Sequence, residues 1–299
     1  MSLKVVFSLL SVFVALGSLS KGQTLFATEF EELTPAAGFT TPWQALNTTT
    51  ASAGIDADLL PALGQTAFLG FGRPSARTST IFHPIPLECA QTQQLTFEAL
   101  LGVQDSTNDR RDTFRLAFFS AAGQILASIE FRNDDSDFGI YIFDGSTTRD
   151  TGLAFVRNEL ASIDATISLE SNQWQVQLDG VDLVDQNAAF TTRDLSQSSL
   201  GFVGAQWVLS AAFPANHGDN FLLLADLTLQ AEPSGPPVAT YSRDGLQFVE
   251  DKGFTYQIQS TPSLETAFSN LPEGTPTQPT GTRQFYRVQR DFAPAPSAP

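Results

Sequence analysis

The segment from Ile163 to Val184, IDATISLESNQWQVQLDGVDLV, constrains the fold more than any other stretch. Ile163, Ala165, Ile167 and Leu169 alternate with Asp164, Thr166, Ser168 and Glu170. After Ser171-Asn172, Trp174, Val176 and Leu178 alternate with Gln175, Gln177 and Asp179. A period of two on both sides of a polar break predicts two antiparallel strands, each with one apolar and one polar face. Asp179-Gly180 supplies a second tight turn, because glycine tolerates the positive φ such turns require. A meander of this kind cannot bury its apolar face alone, so other strands must cover it.

The same rhythm recurs between Thr24 and Ala231, in strand-sized segments broken by Gly, Asn, Asp and Pro, with no long stretch of helical period. TAFLGF, TSTIF, LTFEALLGV, TFRLAFF, ILASIEFR, the segment from Phe138 to Phe143, the segment from Leu200 to Val208 and FLLLADLTL all read as strands. The segment from Thr40 to Leu63 reads as loop, with one helical turn near Asp58 to Leu63. DNFLLLADLTL is apolar on both faces at its start, which suits a central or covered strand. The predicted fold is all-β: an antiparallel two-sheet jelly-roll sandwich over residues 24–231, followed by a second, small β-domain. EPSGPP (232–237) reads as a linker, residues 238–292 as the small β-module, and 293–299 as disordered tail.

The N-terminus has Lys4 before an apolar run from Val5 to Leu16, then Ser18 and Ser20, the layout of a secretory signal peptide over residues 1–22. The run is shorter than the roughly 20 apolar residues a bilayer span needs. The mature chain is therefore expected to be secreted, in an extracellular or periplasmic setting, without a membrane span. Cys89 is the only cysteine, so no intrachain disulfide can form and stability must come from the core. With 32 acidic against 16 basic residues, the chain lacks the basic footprint that nucleic acid requires.

Two resemblances follow from particular motifs. RDTFRLAFFSAAGQILASIEF, IYIFDG, SNQWQVQLDG and GDNFLLLADLTL together resemble the concanavalin A-like or laminin G-like jelly roll of exported bacterial proteins, over residues 24 to 231. FTYQIQSTPSLETAF followed by QFYRVQ is similar to a small C-terminal β-module of exported Gram-negative proteins, with Tyr256, Gln259, Ser260, Phe285, Tyr286, Arg287 and Val288 carrying the motif. Phe268 stands near the place where that module usually has Trp. The first resemblance implies an exported, non-enzymatic recognition protein that binds carbohydrate or cell-envelope glycan. It equally admits a polysaccharide-active hydrolase or lyase, or a purely structural surface module.

The residues themselves argue against catalysis. A retaining glycosidase needs two carboxylates about 5–5.5 Å apart. No Glu-x-Asp-x-Glu triplet occurs, Glu130 stands alone on its strand face, and the two histidines, His83 and His217, have no evident catalytic partner. Sugar binding requires an aromatic platform with amide and charged neighbours. The polar strand faces offer Arg115, Glu130, Arg132, Tyr141, Gln175 and Gln177, which form one surface if their strands are neighbours. Trp174 falls on the apolar side and reads as core, whereas Trp207 and His217 suggest a site at the loop end. The residues call for no cofactor, and calcium is the one they admit. Asn133, Asp134, Asp135 and Asp137 form the preferred oxygen-rich loop, ahead of Asp105, Asn108, Asp109 and Asp112, which enclose Arg110-Arg111. Both loops also read as solvated turns.

Overall fold

The computed structural model describes residues 23–28, 30, 33, 39, 41–60, 64–85, 93–134, 136–196, 198–211, 213–233, 239–242, 245–248, 254–261, 269–270 and 285–292. Its strands are β1 (Gln23–Thr28), β2 (Gln44–Leu46), β3 (Ala53–Asp56), β4 (Thr66–Gly70), β5 (Thr78–Pro84), β6 (Gln93–Gln104) and β7 (Thr113–Ser120). They continue with β8 (Ile125–Arg132), β9 (Gly139–Phe143), β10 (Thr148–Ala154), β11 (Leu160–Ser168), β12 (Gln173–Leu178), β13 (Val181–Ala189), β14 (Leu200–Val208) and β15 (Phe221–Pro233). Gly22–Ser234 forms one compact unit, and the strands beyond it belong to a second.

The larger unit is a jelly-roll sandwich of two antiparallel sheets. Sheet I has eight strands in the order β13-β12-β11-β6-β15-β4-β3, with β1 also pairing to β15; sheet II has seven, in the order β10-β9-β8-β7-β14-β5-β2. The meander is β11, β12 and β13, with Ile163 opposite Leu178, Ala165 opposite Val176 and Ile167 opposite Trp174. Both turn residues Asp179 and Gly180 have positive φ (49° and 77°), which matches the twist of the strands they join.

Alternation sets the two faces. From sheet I, Leu95, Phe97, Leu101, Ile163, Ile167, Trp174 and Val176 point inward; from sheet II, Phe114, Leu116, Phe118, Ile129, Phe131, Val203 and Ala205 do so, and all are buried. The Phe118 ring meets Phe97 at 5.4 Å and Trp174 at 6.3 Å, edge to face, so the layers interlock through aromatic rings. Strand β15 lies between β6 on one side and β4 and β1 on the other. That central place buries Leu222, Leu223 and Leu224 together, and Leu223 lies opposite Gly102 and Phe68.

Two expectations need correction. Strands β2 and β3 lie within the segment read as loop, and residues 57–60 are bends in which Asp56 Oδ1 accepts from the amides of Asp58 and Leu59 (2.7 and 3.1 Å). Both strands are too short to show a period, and Gly54 replaces an outward side chain because the Phe68 ring lies against it. The first two residues of the segment read as a linker belong to β15, since Glu232 and Pro233 pair with Gln94 and Gln93 of β6. Residues 234–237, the segment 1–22 read as a signal peptide and the segment 293–299 read as a tail lie outside the described residues.

In the second unit, β16 (Ala239–Ser242) pairs with β17 (Gly245–Phe248), and β18 (Phe254–Thr261) pairs with β19 (Ser269–Asn270) and β20 (Phe285–Phe292). No helix among the described residues is long and apolar enough to cross a membrane.

Trp174 fills the middle of the interlock, 1% exposed and edge-on to Phe118 and Phe190. Trp174→Ala should therefore lower stability by about 3–5 kcal/mol, read as a fall in the urea midpoint with an unchanged slope.

Candidate functional site

The outward face of sheet II gathers four of the six sheet residues expected to form a polar surface. Register places Tyr141, Glu130, Arg115, Gln206 and Thr80 side by side on β9, β8, β7, β14 and β5. Glu130 is 2% exposed; Arg115 Nε lies 2.9 Å from its Oε1 and Arg132 Nη2 lies 3.5 Å from its Oε2. The Arg132 guanidinium carbon sits 3.8 Å from the centroid of the Tyr141 ring, a cation–π stack. One shielded carboxylate thus orients two guanidiniums whose outer edges reach solvent.

Gln175 and Gln177 are not part of this surface. They lie on sheet I, where both donate to Asp182 Oδ1 (3.2 and 2.8 Å). Sequence alternation gives a strand's two faces but not the sheet that the strand joins.

Trp207, expected with His217 at a loop-end site, is buried in the core. Register sets it opposite Phe114 and Ser79 on the inward face, wholly buried. Its Nε1 donates to Asp112 Oδ2 (3.1 Å), and the half-buried His217 ring stands edge-on to it at 5.8 Å. Asp112, itself buried, also accepts from the amides of Ser210 (2.9 Å) and Gly218 (2.9 Å). It ties the β6–β7 loop to the β14–β15 loop.

A second carboxylate strengthens the same clasp. Asp219 Oδ1 accepts from Ser106 Oγ (2.5 Å) and the Thr107 amide (2.8 Å), and its other oxygen accepts from Thr107 Oγ1. Partial burial pushes its pKa up, but the Ser106 and Thr107 donors outweigh this and hold it at about 2.

The oxygen-rich loop after β8 is organised around an arginine. Asn133, fully buried, accepts from Arg157 through Oδ1 (2.5 Å from Nε) and through its carbonyl (2.9 Å from Nη2). Arg157 also lies 3.5 Å over the Phe138 ring and reaches Asp105 (3.4 Å), which Arg111 pairs from the other side (2.9 Å). Asp134 accepts from Thr113 Oγ1 (2.9 Å) and Asp137 from Ser136 Oγ (3.3 Å); Asp135 lies outside the described residues. No group of three or more His, Cys, Asp or Glu side chains with metal-holding geometry occurs among the described residues. Of this loop's oxygen-bearing residues, the Arg157 guanidinium meets Asn133.

These loops surround an open cleft of about 570 Å³, lined by Asp109, Arg110, Arg111, Asp134, Ser210, Ala211 and Asn216. The segment supplying Ser210, Ala211 and Asn216 also carries Phe213, 70% exposed at the start of a 3-10 turn over Pro214–Asn216. The cleft adjoins the sheet II surface, because Thr113 binds Asp134 and is the register partner of Arg132. Sequence reasoning missed Phe213 and Asn216. The available signal was an aromatic before proline in the polar loop FPANHGDN, where burial has no use for a phenyl ring.

Among solved structures, the winged bean acidic lectin complexed with methyl-α-D-galactose aligns over 71% of this chain and 99% of its own, at TM-score 0.50 and 12% identity. The likeness is one of fold: a lectin-type jelly-roll sandwich. A GH131 β-glucanase catalytic domain from Podospora anserina aligns over 72% of this chain and 100% of its own, at TM-score 0.48 and 13% identity. A sialidase aligns over 62% of this chain but only 16% of its own length, at TM-score 0.45 and 12% identity. No family model matches the chain, and no curated protein sequence does.

Two measurements test this architecture. Glu130→Ala leaves Arg115 and Arg132 facing each other without their shared carboxylate. Both guanidiniums reach water, so the cost should be about 1–3 kcal/mol in chemical denaturation, below that of a fully buried broken pair. For Asp219 the folded pKa lies below the unfolded value of 3.8, so its contribution is complete above that pH and is lost as pH falls towards 2. Asp219→Asn should therefore weaken the acid dependence of stability across that interval, measured by urea unfolding at stepped pH.

Proposed function

We propose that the protein is a non-enzymatic, exported recognition protein that binds carbohydrate at the loop end of its jelly roll. The observation that carries this reading is the composition of the cleft. Six of the seven lining residues have side chains able to donate or accept hydrogen bonds, and an exposed phenyl ring sits on the same wall segment. A polyhydroxylated ring offers the matching chemistry: hydroxyls for Asp109, Arg110, Asp134, Ser210 and Asn216, and an apolar C–H face for Phe213. The clasp through Asp112 and Asp219 supports the reading, because it fixes both walls before a ligand arrives and so lowers the ordering cost of binding. The lectin-type fold is compatible with it, although a shared fold is not itself a function.

One observation favours the catalytic alternative, a polysaccharide hydrolase: Asp109 and Asp134 line the same cleft. Arg110 and Arg111 line the same cleft.

A glycan array with the secreted chain should show binding to a restricted set of saccharides. Phe213→Ala and Asn216→Ala should each weaken it by about tenfold while leaving the urea midpoint in place. Release of reducing ends from a polysaccharide panel, lost in Asp134→Asn, would replace recognition with hydrolysis.

A further inference from the structure

Charge is divided unequally between the two sheets. The strands of sheet I contain Asp56, Glu98, Asp164, Asp182, Asp185, Asp226 and Glu232 and no Lys, Arg or His. The strands of sheet II contain Arg115, Arg132 and Arg149 against Glu130 and Asp150. On the outward surface of sheet II the central cluster is Arg115, Glu130 and Arg132, two cations on one carboxylate. Glu130 is shielded, whereas the two guanidiniums keep 28% and 36% of their side-chain surface exposed. An incoming molecule therefore meets arginine edges and the Tyr141 ring, not the carboxylate.

We propose that this face binds a glycan chain bearing carboxylate or sulfate groups, which continues out of the loop-end cleft and across sheet II. The proposal rests on the carbohydrate reading of the cleft and adds to it the chemical class of the ligand and the path it takes. Each guanidinium has five N–H donors in a planar fork, and Glu130 engages only one edge of each. The free edges suit the two oxygens of a uronate carboxylate or two oxygens of a sulfate. Glu130 and the stack on Tyr141 fix the forks in place, so little side-chain entropy remains to be lost on binding. Strand spacing of about 4.8 Å puts Tyr141, Glu130, Arg115 and Gln206 in a row roughly 14 Å long, enough for more than one sugar unit. Sheet I, carrying only acidic charge, repels the same polymer, so the ligand reaches one side of the sandwich only.

The test measures binding of a polyuronate oligomer, a sulfated oligomer and a neutral oligomer by titration calorimetry at two salt concentrations. The proteins compared are the wild-type chain, Glu130→Gln, and the triple variant Arg115→Gln, Glu130→Gln, Arg132→Gln. The triple variant removes the cluster's charge without leaving an unpaired ion. The expected result is that one of the charged oligomers binds at least about tenfold more tightly than the neutral one, the preference weakens as salt rises, and the triple variant abolishes it. Glu130→Gln raises the cluster's charge and should tighten binding of the charged oligomer several-fold even as it lowers stability, a combination that a merely structural role does not produce. Equal binding of charged and neutral oligomers, unchanged in the triple variant, would overturn this inference and leave the cleft reading intact. Absence of binding to all three oligomers, with a blank glycan array, would overturn both.

Discussion

The aromatic interlock between the sheets is the constraint on which the rest of this protein depends. Phe97 and Trp174 from sheet I close on Phe118 from sheet II, and Phe190 completes the cluster. Edge-to-face rings fix the relative position of two layers more specifically than aliphatic contact does, because displacing one ring loses dispersion with all its neighbours. A chain whose only cysteine is Cys89 has no covalent tie to help it. The outward geometry is therefore set from within. Phe114 and Leu116 face the core, so Arg115 between them must face out, and Ile129 and Phe131 do the same to Glu130.

At the loop end the connections cannot rely on burial, and polar chemistry takes over. Asp112 and Asp219 each accept several donors from loops far apart in sequence, while Asp105 is shared between Arg111 and Arg157. Gly218 sits where a Cβ would strike the Arg110 carbonyl and Asn220 Oδ1, so the β14–β15 loop passes close under the β6–β7 loop. This packing leaves Phe213 and Asn216 facing outward on a wall that is held from behind.

What the sequence revealed follows the range of its signals. Alternation is local, so the β11–β12 pair, the Asp179-Gly180 turn and the central place of FLLLADLTL were legible. Arg115, Glu130, Arg132 and Tyr141 were legible as a surface only on condition that β7, β8 and β9 adjoin, which they do. The condition fails for Gln175 and Gln177 because β12 joins sheet I, and nothing in its residues distinguishes one sheet from the other. Trp207 was misplaced for a related reason. In FVGAQWV, Gly204 and Ala205 blur the apolar rhythm, and only pairing with Phe114 reveals the parity. A site at the loop end was legible, but the joining of its walls was not, because they come from segments about a hundred positions apart, brought together by the carboxylates just named.

The choice of cation carries the last step. Between Gly22 and Ser234 the chain has nine arginines and no lysine. Several of these arginines have identifiable fixed roles: Arg77 donates to the Leu209 carbonyl, Arg193 to the Ile125 carbonyl, Arg157 to Asn133, and Arg111 to Asp105. A guanidinium can hold one partner with one edge and present another edge elsewhere, which a compact ammonium does with less directional control. Where the second edge turns inward, as with Arg157 between Asn133 and Asp105, the result is a braced loop. Where it turns outward, as with Arg115 and Arg132 around Glu130, the same device becomes a prepositioned donor surface. Arg77, Arg111, Arg157 and Arg193 stand in the connections between strands, whereas Arg115 and Arg132 stand on β7 and β8, where the parity set by the buried rings turns them outward.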